Sequence, residues 1–229
     1  MAMVQRIVDE VRKHARAKRA KVFRSNFAIG ADTKILDIGS EDGSSIAAVL
    51  QGSDAKPHNI YIADIDEQFL ERGRQRYGFT PVSIPESGRL PFGDGFFDIV
   101  YCSSVIEHVT LPKSEVWQEI SGERFRELAV QHQRGFAEEI RRLGKSFYVQ
   151  TPNKWFPVES HTWLPFVGYL PRRFLVPLLR LTNAVWVKHT SPDWHLLSVA
   201  DMKAMFPDAT IQKERFFGFT KSIMAIKNS

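Results

Sequence analysis

One cysteine, Cys102, stands in 229 residues. No internal disulfide can form, and a reducing compartment such as the cytoplasm is the natural setting. The start of the chain is charged and has no apolar run, so a secretory signal is not expected. Nor does an unbroken stretch of membrane-spanning character occur. The richest, 164–187, is cut into short pieces by Arg172, Arg173 and Arg180, and its prolines argue against one continuous helix. The nicotinamide-type fingerprint G-x-G-x-x-G and a Walker phosphate loop are both missing. In the turn Gly39-Ser-Glu-Asp-Gly43, Glu41 occupies the place of a middle glycine, and Glu41 and Asp42 would repel pyrophosphate. An acidic turn of this kind tolerates a cationic or zwitterionic ligand instead.

What is present is a sizeable apolar complement. Hydrophobic residues make up 43% and aromatics 12% of the chain, enough for one globular domain with a large core and too short for a second full one. The net charge is +5, but Arg12, Lys13, Arg16, Lys18, Arg19, Lys21 and Arg24 crowd into one segment. There Val4, Ile7, Val8 and Val11 recur at helical spacing, predicting an amphipathic helix with a basic end. Such a helix packs on the domain with a solvated charged face, or serves as a footprint for a membrane surface or nucleic acid.

The stretch Lys34-Ile-Leu-Asp-Ile-Gly-Ser-Glu-Asp-Gly43 reads as a buried strand entering a tight glycine turn and then a helix from Ser44. Apolar runs alternating with helical stretches follow, the pattern of a doubly wound α/β sheet. Strands are expected at 34–39, 59–65, 80–85, 97–105, 145–151, 210–217 and 222–227, the last two a hairpin around Gly218 to Lys221. Helices are expected at 44–51, 66–77, 114–143 with a break near Gly122, and 198–206, where Ser198 and Asp201 form a capping box. Between 151 and 197, four tryptophans and six prolines interrupt the alternation, predicting an aromatic flap at the ligand edge of the sheet. The organisation expected is therefore 1–29 helical, 30–152 cofactor-binding core, 153–197 flap insertion and 198–229 closing helix and hairpin.

Four further segments, in order, carry a resemblance. They are Tyr61-Ile-Ala-Asp64-Ile-Asp66; Glu86 before Leu90-Pro91-Phe92; Asp94-Gly-Phe-Phe97-Asp98 running on to Glu107-His108-Val109; and Tyr148-Val-Gln-Thr151-Pro152-Asn153. With the first glycine turn, the set resembles the class I S-adenosylmethionine-dependent methyltransferases over roughly residues 30–155 and the terminal hairpin. The resemblance implies a Rossmann-like seven-stranded, mostly parallel sheet with an antiparallel last strand, helices on both faces, and S-adenosylmethionine as cofactor. It puts Asp37 and Gly39 near the methionine end, Gly43 against the cofactor, Asp64 on the ribose with Ile65 beside it, Glu86 near the adenine amino group, and Ser103 at the methyl-bearing sulfur. Glu41 for the middle glycine and Glu86 for the usual Asp depart from the family pattern.

A hydroxyl acceptor must lose a proton, and histidine is the natural base near neutrality. The candidates are His108, His161 and His195. In related quinone O-methyltransferases Glu-x-x-Glu-His holds a divalent metal; Ser104 replaces the first glutamate, so no metal is expected. The segment from Thr151 to His161, with Leu-Pro-Phe and Tyr-Leu-Pro after it, resembles a subgroup of bacterial methyltransferases acting on small molecules, sugars or lipids. Trp155 and Trp163 would give such an acceptor apolar contact, and Arg172 or Arg173 an anionic handle. A nucleic-acid acceptor is not expected, because the Asn-Pro-Pro-Tyr signature of base-amino methylases is missing after the fourth strand. The rival readings are a non-catalytic cofactor-binding protein and a membrane-surface or nucleic-acid-binding protein on the same fold.

Overall fold

A computed structural model describes residues 14, 16–39, 41–186 and 188–228. The amphipathic pattern at Val4 to Val11 lies outside them. Among the described residues, helix α1 covers 16–26 and sends Phe23 into the core, where it meets Tyr101 and Tyr148 edge-on at 5.2 and 5.6 Å. Tyr101 and Tyr148 stack on each other at 5.4 Å.

Seven strands follow in the order β3-β2-β1-β4-β5-β7-β6: β1 Ile35–Ile38, β2 Ile60–Asp64, β3 Thr80–Ser83, β4 Phe97–Ser103, β5 Gly144–Pro152, β6 Thr210–Phe216 and β7 Phe219–Lys227. β1 pairs in parallel with β2 (Ile35 beside Ile60) and with β4 (Ile35 beside Ile99), and β2 in parallel with β3. All four residues of β1 are buried, as expected of a parallel strand covered on both faces. The edge strand β3 tolerates Pro81, which a central strand would not. β6 and β7 form the hairpin, so β7 runs antiparallel.

The hairpin turn is tighter than the sequence suggests. Only Phe217 and Gly218 lie between the strands, with φ 47° and 82°. Two successive positive φ values are what a two-residue turn needs to match strand twist, and Gly218 supplies one without strain. β7 accordingly begins at Phe219 rather than 222.

The helices are α2 Ser44–Val49, α3 Glu67–Tyr77, α4 Gly122–Leu143, α5 Arg172–Val185 and α6 Val199–Met205. Asp66 caps α3 by accepting from the Gln68 N–H, and the Ser198–Asp201 capping box of α6 is formed on both sides. α4 starts at Gly122, where a break was expected, and residues 114–118 form turns. α5 is a correction: fourteen residues run as one helix with Pro177 inside it. Proline removes the N–H that would reach the carbonyl of Arg173. Both residues are exposed, so water can take up that carbonyl. No helix among the described residues is long and apolar enough to cross a membrane.

The chain divides into two compact units. Of the described residues, those up to 102, 140–148 and 226–228 make up the first; those of 103–139 and 149–225 make up the second. In the first, Arg142 donates to the carbonyls of Phe92 and Leu90 and pairs with Asp94 at 3.0 Å. In the second, Arg172 has only 6% exposure. It donates to the carbonyls of Glu119, Pro192 and Val116, and its guanidinium lies over the Phe125 ring at 3.5 Å. Burial lowers its pKa to about 10 against the charges of Glu119 and Asp193, so it stays cationic at neutral pH. All three nitrogens are used on the chain itself, which corrects the expectation of an anionic handle at Arg172; Arg173, exposed over Phe174, keeps that option.

Candidate functional site

In the first unit the polar centre forms at the carboxyl ends of β1 and β2. Asp37, inside β1, is fully buried. Gly39, at φ 75°, donates its N–H to the Ala63 carbonyl at 2.7 Å and ties the first turn to β2. Glu41 has φ 60°, in the left-handed region that a glycine enters freely. The departure from the middle glycine therefore sits where glycine is conformationally favoured, and Glu41 accepts the strain.

Asp64 organises this turn. Its Oδ2 accepts from the Glu41 N–H and its Oδ1 from the Asp66 N–H, both at 3.0 Å. A carboxylate has about four acceptor positions, so each oxygen retains a lone pair for a ligand hydroxyl. Ile65, next in the chain, is 71% exposed, an apolar side chain set at a strand end beside a carboxylate. That pairing suits a sugar joined to a flat ring. Gly43 has a packing reason of its own: a Cβ there would lie 2.8 Å from Ile62 Cγ2 and 3.0 Å from Phe79. Glu86 is exposed beyond β3.

In the second unit, Ser103 closes β4 and Ser104 follows at φ 60°. Both hydroxyls donate to Gln150 Oε1, at 2.8 and 3.1 Å, and the Ser104 N–H donates to the Gln150 carbonyl. The next turn carries Glu107 and His108.

Glu107 is fully buried. Its Oε2 accepts from the Thr151 hydroxyl at 2.9 Å, while Oε1 has no hydrogen-bond partner among the described residues. Burial pushes its carboxyl pKa up, opposed by His108 and His161. His108 Nδ1 lies 3.4 Å from Asp193 Oδ1. Burial works against the imidazolium, but the hydrogen bond to Asp193 and the charges of Glu107 and Asp193 outweigh it and raise the His108 pKa. Asp193 is lowered in turn, burial being overcome by His108.

His161 repeats the arrangement. Its Nδ1 is 2.6 Å from Oε1 of the buried Glu159, which also accepts the His161 and Thr162 N–H groups. Those bonds hold Glu159 below the usual carboxylate range in spite of its burial. The His161 ring stacks on Trp194 at 5.3 Å and meets His108 edge-on at 4.7 Å. Glu107, His108 and His161 each present one donor atom within 4.8 Å of the other two.

His195 stands differently. Its Nδ1 is 3.0 Å from Gln133 Oε1, and the Gln133 amide donates to the carbonyls of His195 and Ile106. Burial, then the charge of Lys154, depress its pKa to about 4, so it is neutral and held as a packing element. The structure thus brings His108 and His161 together with Glu107, and anchors His195 on Gln133. Sequence reading named the histidines but not the carboxylates that face them, Asp193 at His108 and Glu159 at His161.

Comparison with known proteins bears on the fold and the family. Residues 36–122 match the family described as methyltransferase domain, and no curated protein matches. Among solved structures, magnesium protoporphyrin IX methyltransferase from Synechocystis PCC 6803, with bound SAH, is 13% identical, with 98% of this chain and 87% of that one aligned at a TM-score of 0.54. A candidate O-methyltransferase from Nostoc punctiforme PCC 73102 is 17% identical over 93% of this chain and 56% of that one, with a TM-score of 0.52. A candidate zinc-dependent alcohol dehydrogenase from Rhodobacter sphaeroides is 11% identical over 91% and 87%, with a TM-score of 0.58. At these identities the neighbours establish the fold alone.

Proposed function

We propose that this chain, a class I S-adenosylmethionine-dependent methyltransferase by its domain match and its strand order, methylates a hydroxyl group on a small-molecule acceptor. The cofactor, when bound, supplies an electrophilic methyl on a sulfonium. The first unit's residues fit it: Asp64 offers spare acceptor positions for the two ribose hydroxyls, and exposed Ile65 an apolar surface for adenine. Glu41 and Asp42 give an acidic turn suited to a cationic ligand. Asp37, Gly39, Gly43, Glu86 and Ser103 keep the roles that the resemblance implies.

The observation that carries the hydroxyl reading is the pairing of two imidazoles with two carboxylates beside buried Glu107. In methylation of an alcohol the oxygen–carbon bond forms as the carbon–sulfur bond breaks, and the hydroxyl proton must leave. Asp193 and Glu159 fix Nδ1–H on His108 and His161, which leaves each Nε2 with its lone pair for an acceptor group. An amine would not need this provision. Trp194 against His161 excludes water from one side.

The test is methyl-labelled cofactor with matched acceptor pairs, alcohol or phenol against amine, using the wild type and Asp193→Asn. Hydroxyl acceptors should be labelled, with a rate loss of about 100-fold in the variant. Labelling of amines alone, unaffected by Asp193→Asn, would reject the reading.

A further inference from the structure

The geometry points to a metal site: we propose that Glu107 Oε1 and the Nε2 atoms of His108 and His161 bind one divalent first-row transition ion, with zinc the best match. Three observations converge on it. First, the three side chains present donor atoms within 4.8 Å of one another, although His161 is 53 residues beyond His108 in sequence. Tetrahedral zinc with bonds of about 2.1 Å places its ligands roughly 3.4 Å apart, so binding requires only a small inward adjustment.

Second, each imidazole has its Nδ1 held by a buried or half-buried carboxylate, at 3.4 Å for His108–Asp193 and 2.6 Å for His161–Glu159. This carboxylate–histidine arrangement fixes the tautomer that leaves Nε2 for a metal and raises its basicity. Third, Glu107 Oε1 is buried without a hydrogen-bond partner among the described residues, while Oε2 is held by Thr151. A buried carboxylate oxygen is costly unless a cation or donor faces it. Three carboxylates gathered around two imidazoles also supply the negative charge that a divalent ion would neutralise.

Two imidazoles and one carboxylate are a catalytic donor set, borderline in softness and one ligand short of tetrahedral. The remaining position takes water or, if the hydroxyl reading under Proposed function holds, the acceptor oxygen. With both Nε2 lone pairs on the ion, the imidazoles no longer take the acceptor's proton; the ion lowers that proton's pKa instead, and solvent receives it. Only this last use rests on that reading; the metal site itself does not.

The test uses the full chain without a histidine tag, stripped with a chelator and titrated with zinc against a chromophoric competitor, then with cobalt(II). One ion per chain is expected, with visible cobalt bands of a four- or five-coordinate site. His161→Ala should weaken zinc binding about 100-fold or more, and Asp193→Asn 10- to 100-fold. Exposed His189→Ala should leave it unchanged. Should His161→Ala not fold, Glu107→Gln carries the same expectation with minimal change of shape. No stoichiometric ion, or equal affinity in the wild type, His161→Ala and Glu107→Gln, overturns the proposal. A chain that methylates hydroxyls equally well after stripping, and binds no zinc, overturns it while leaving the hydroxyl reading intact. A chain that binds zinc with the expected variant losses but labels only amines confirms the site and rejects the reading.

Discussion

Replacing glycine by alanine should have opposite effects at two helical positions. At Gly135, on the exposed side of α4, a Cβ would meet nothing within 4 Å. The substitution there removes the entropic cost of glycine and should stabilise by about 0.8–1 kcal/mol. Gly73 on α3 has the same propensity term, but its Cβ would fall 2.4 Å from Ile62 Cδ1 and 2.7 Å from the Asp42 carbonyl oxygen. The Ile62 tip can rotate; the Asp42 backbone belongs to the turn tied to Asp64. Overpacking of this kind costs about 1–3 kcal/mol, which cancels the gain at its low end and leaves a net loss of up to roughly 2 kcal/mol at its high end. At about 2–4 °C per kcal/mol for a chain of this size, Gly73→Ala should lower the melting temperature by up to about 8 °C and Gly135→Ala raise it by about 2–4 °C. Because the displaced atoms belong to the turn that we propose as the cofactor site, Gly73→Ala should also weaken binding of S-adenosylhomocysteine, which Gly135→Ala should not. Differential scanning fluorimetry with and without the ligand reads both. Equal stabilisation at the two sites would refute the close approach of α3 to the turn.

His195 predicts a pH effect. Its pKa falls from 6.5 to about 4 on folding, so its contribution is fully present above pH 6.5 and is lost as pH falls from there towards 4. The loss amounts to at most about 3 kcal/mol, and less with partial solvent access. Melting curves of the wild type and His195→Gln should therefore diverge above pH 6.5 and converge in acid; parallel curves would contradict a neutral buried imidazole. Arg172→Met strands three carbonyls and should cost about 3–5 kcal/mol in urea unfolding, whereas Arg173→Ala should stay within about 0.5 kcal/mol. Equal effects would overturn the structural role of Arg172.

The parallel strands were legible because each is an apolar run bounded by polar turns: Ile35–Ile38, Ile60–Asp64 and Phe97–Ser103 lie within a few residues of their expected bounds. Local chemistry also announced the Ser198–Asp201 cap, whose two partners are three residues apart. Pro177 misled because its cost depends on whether the Arg173 carbonyl faces water, a tertiary fact. The candidate site was half visible for a similar reason. Histidine near a strand end marks itself, but the pairing of His108 with Asp193 spans 85 residues, and nothing local indicates which carboxylate returns to which imidazole. Gln133, which takes His195 out of that group, lies on α4 and carries no periodic signal of its own.

The most direct test of the account is calorimetric titration of the full chain with S-adenosylmethionine and S-adenosylhomocysteine, for the wild type, Asp64→Asn and Asp64→Ala. One site of micromolar affinity is predicted in the wild type. Losing a hydrogen-bonded charge at the ribose should weaken it about 10- to 100-fold in Asp64→Asn, and further in Asp64→Ala, which also frees the Glu41 and Asp66 N–H groups. Absence of binding, or equal affinity in all three proteins, would contradict the assignment of the cofactor to the carboxyl ends of β1 and β2.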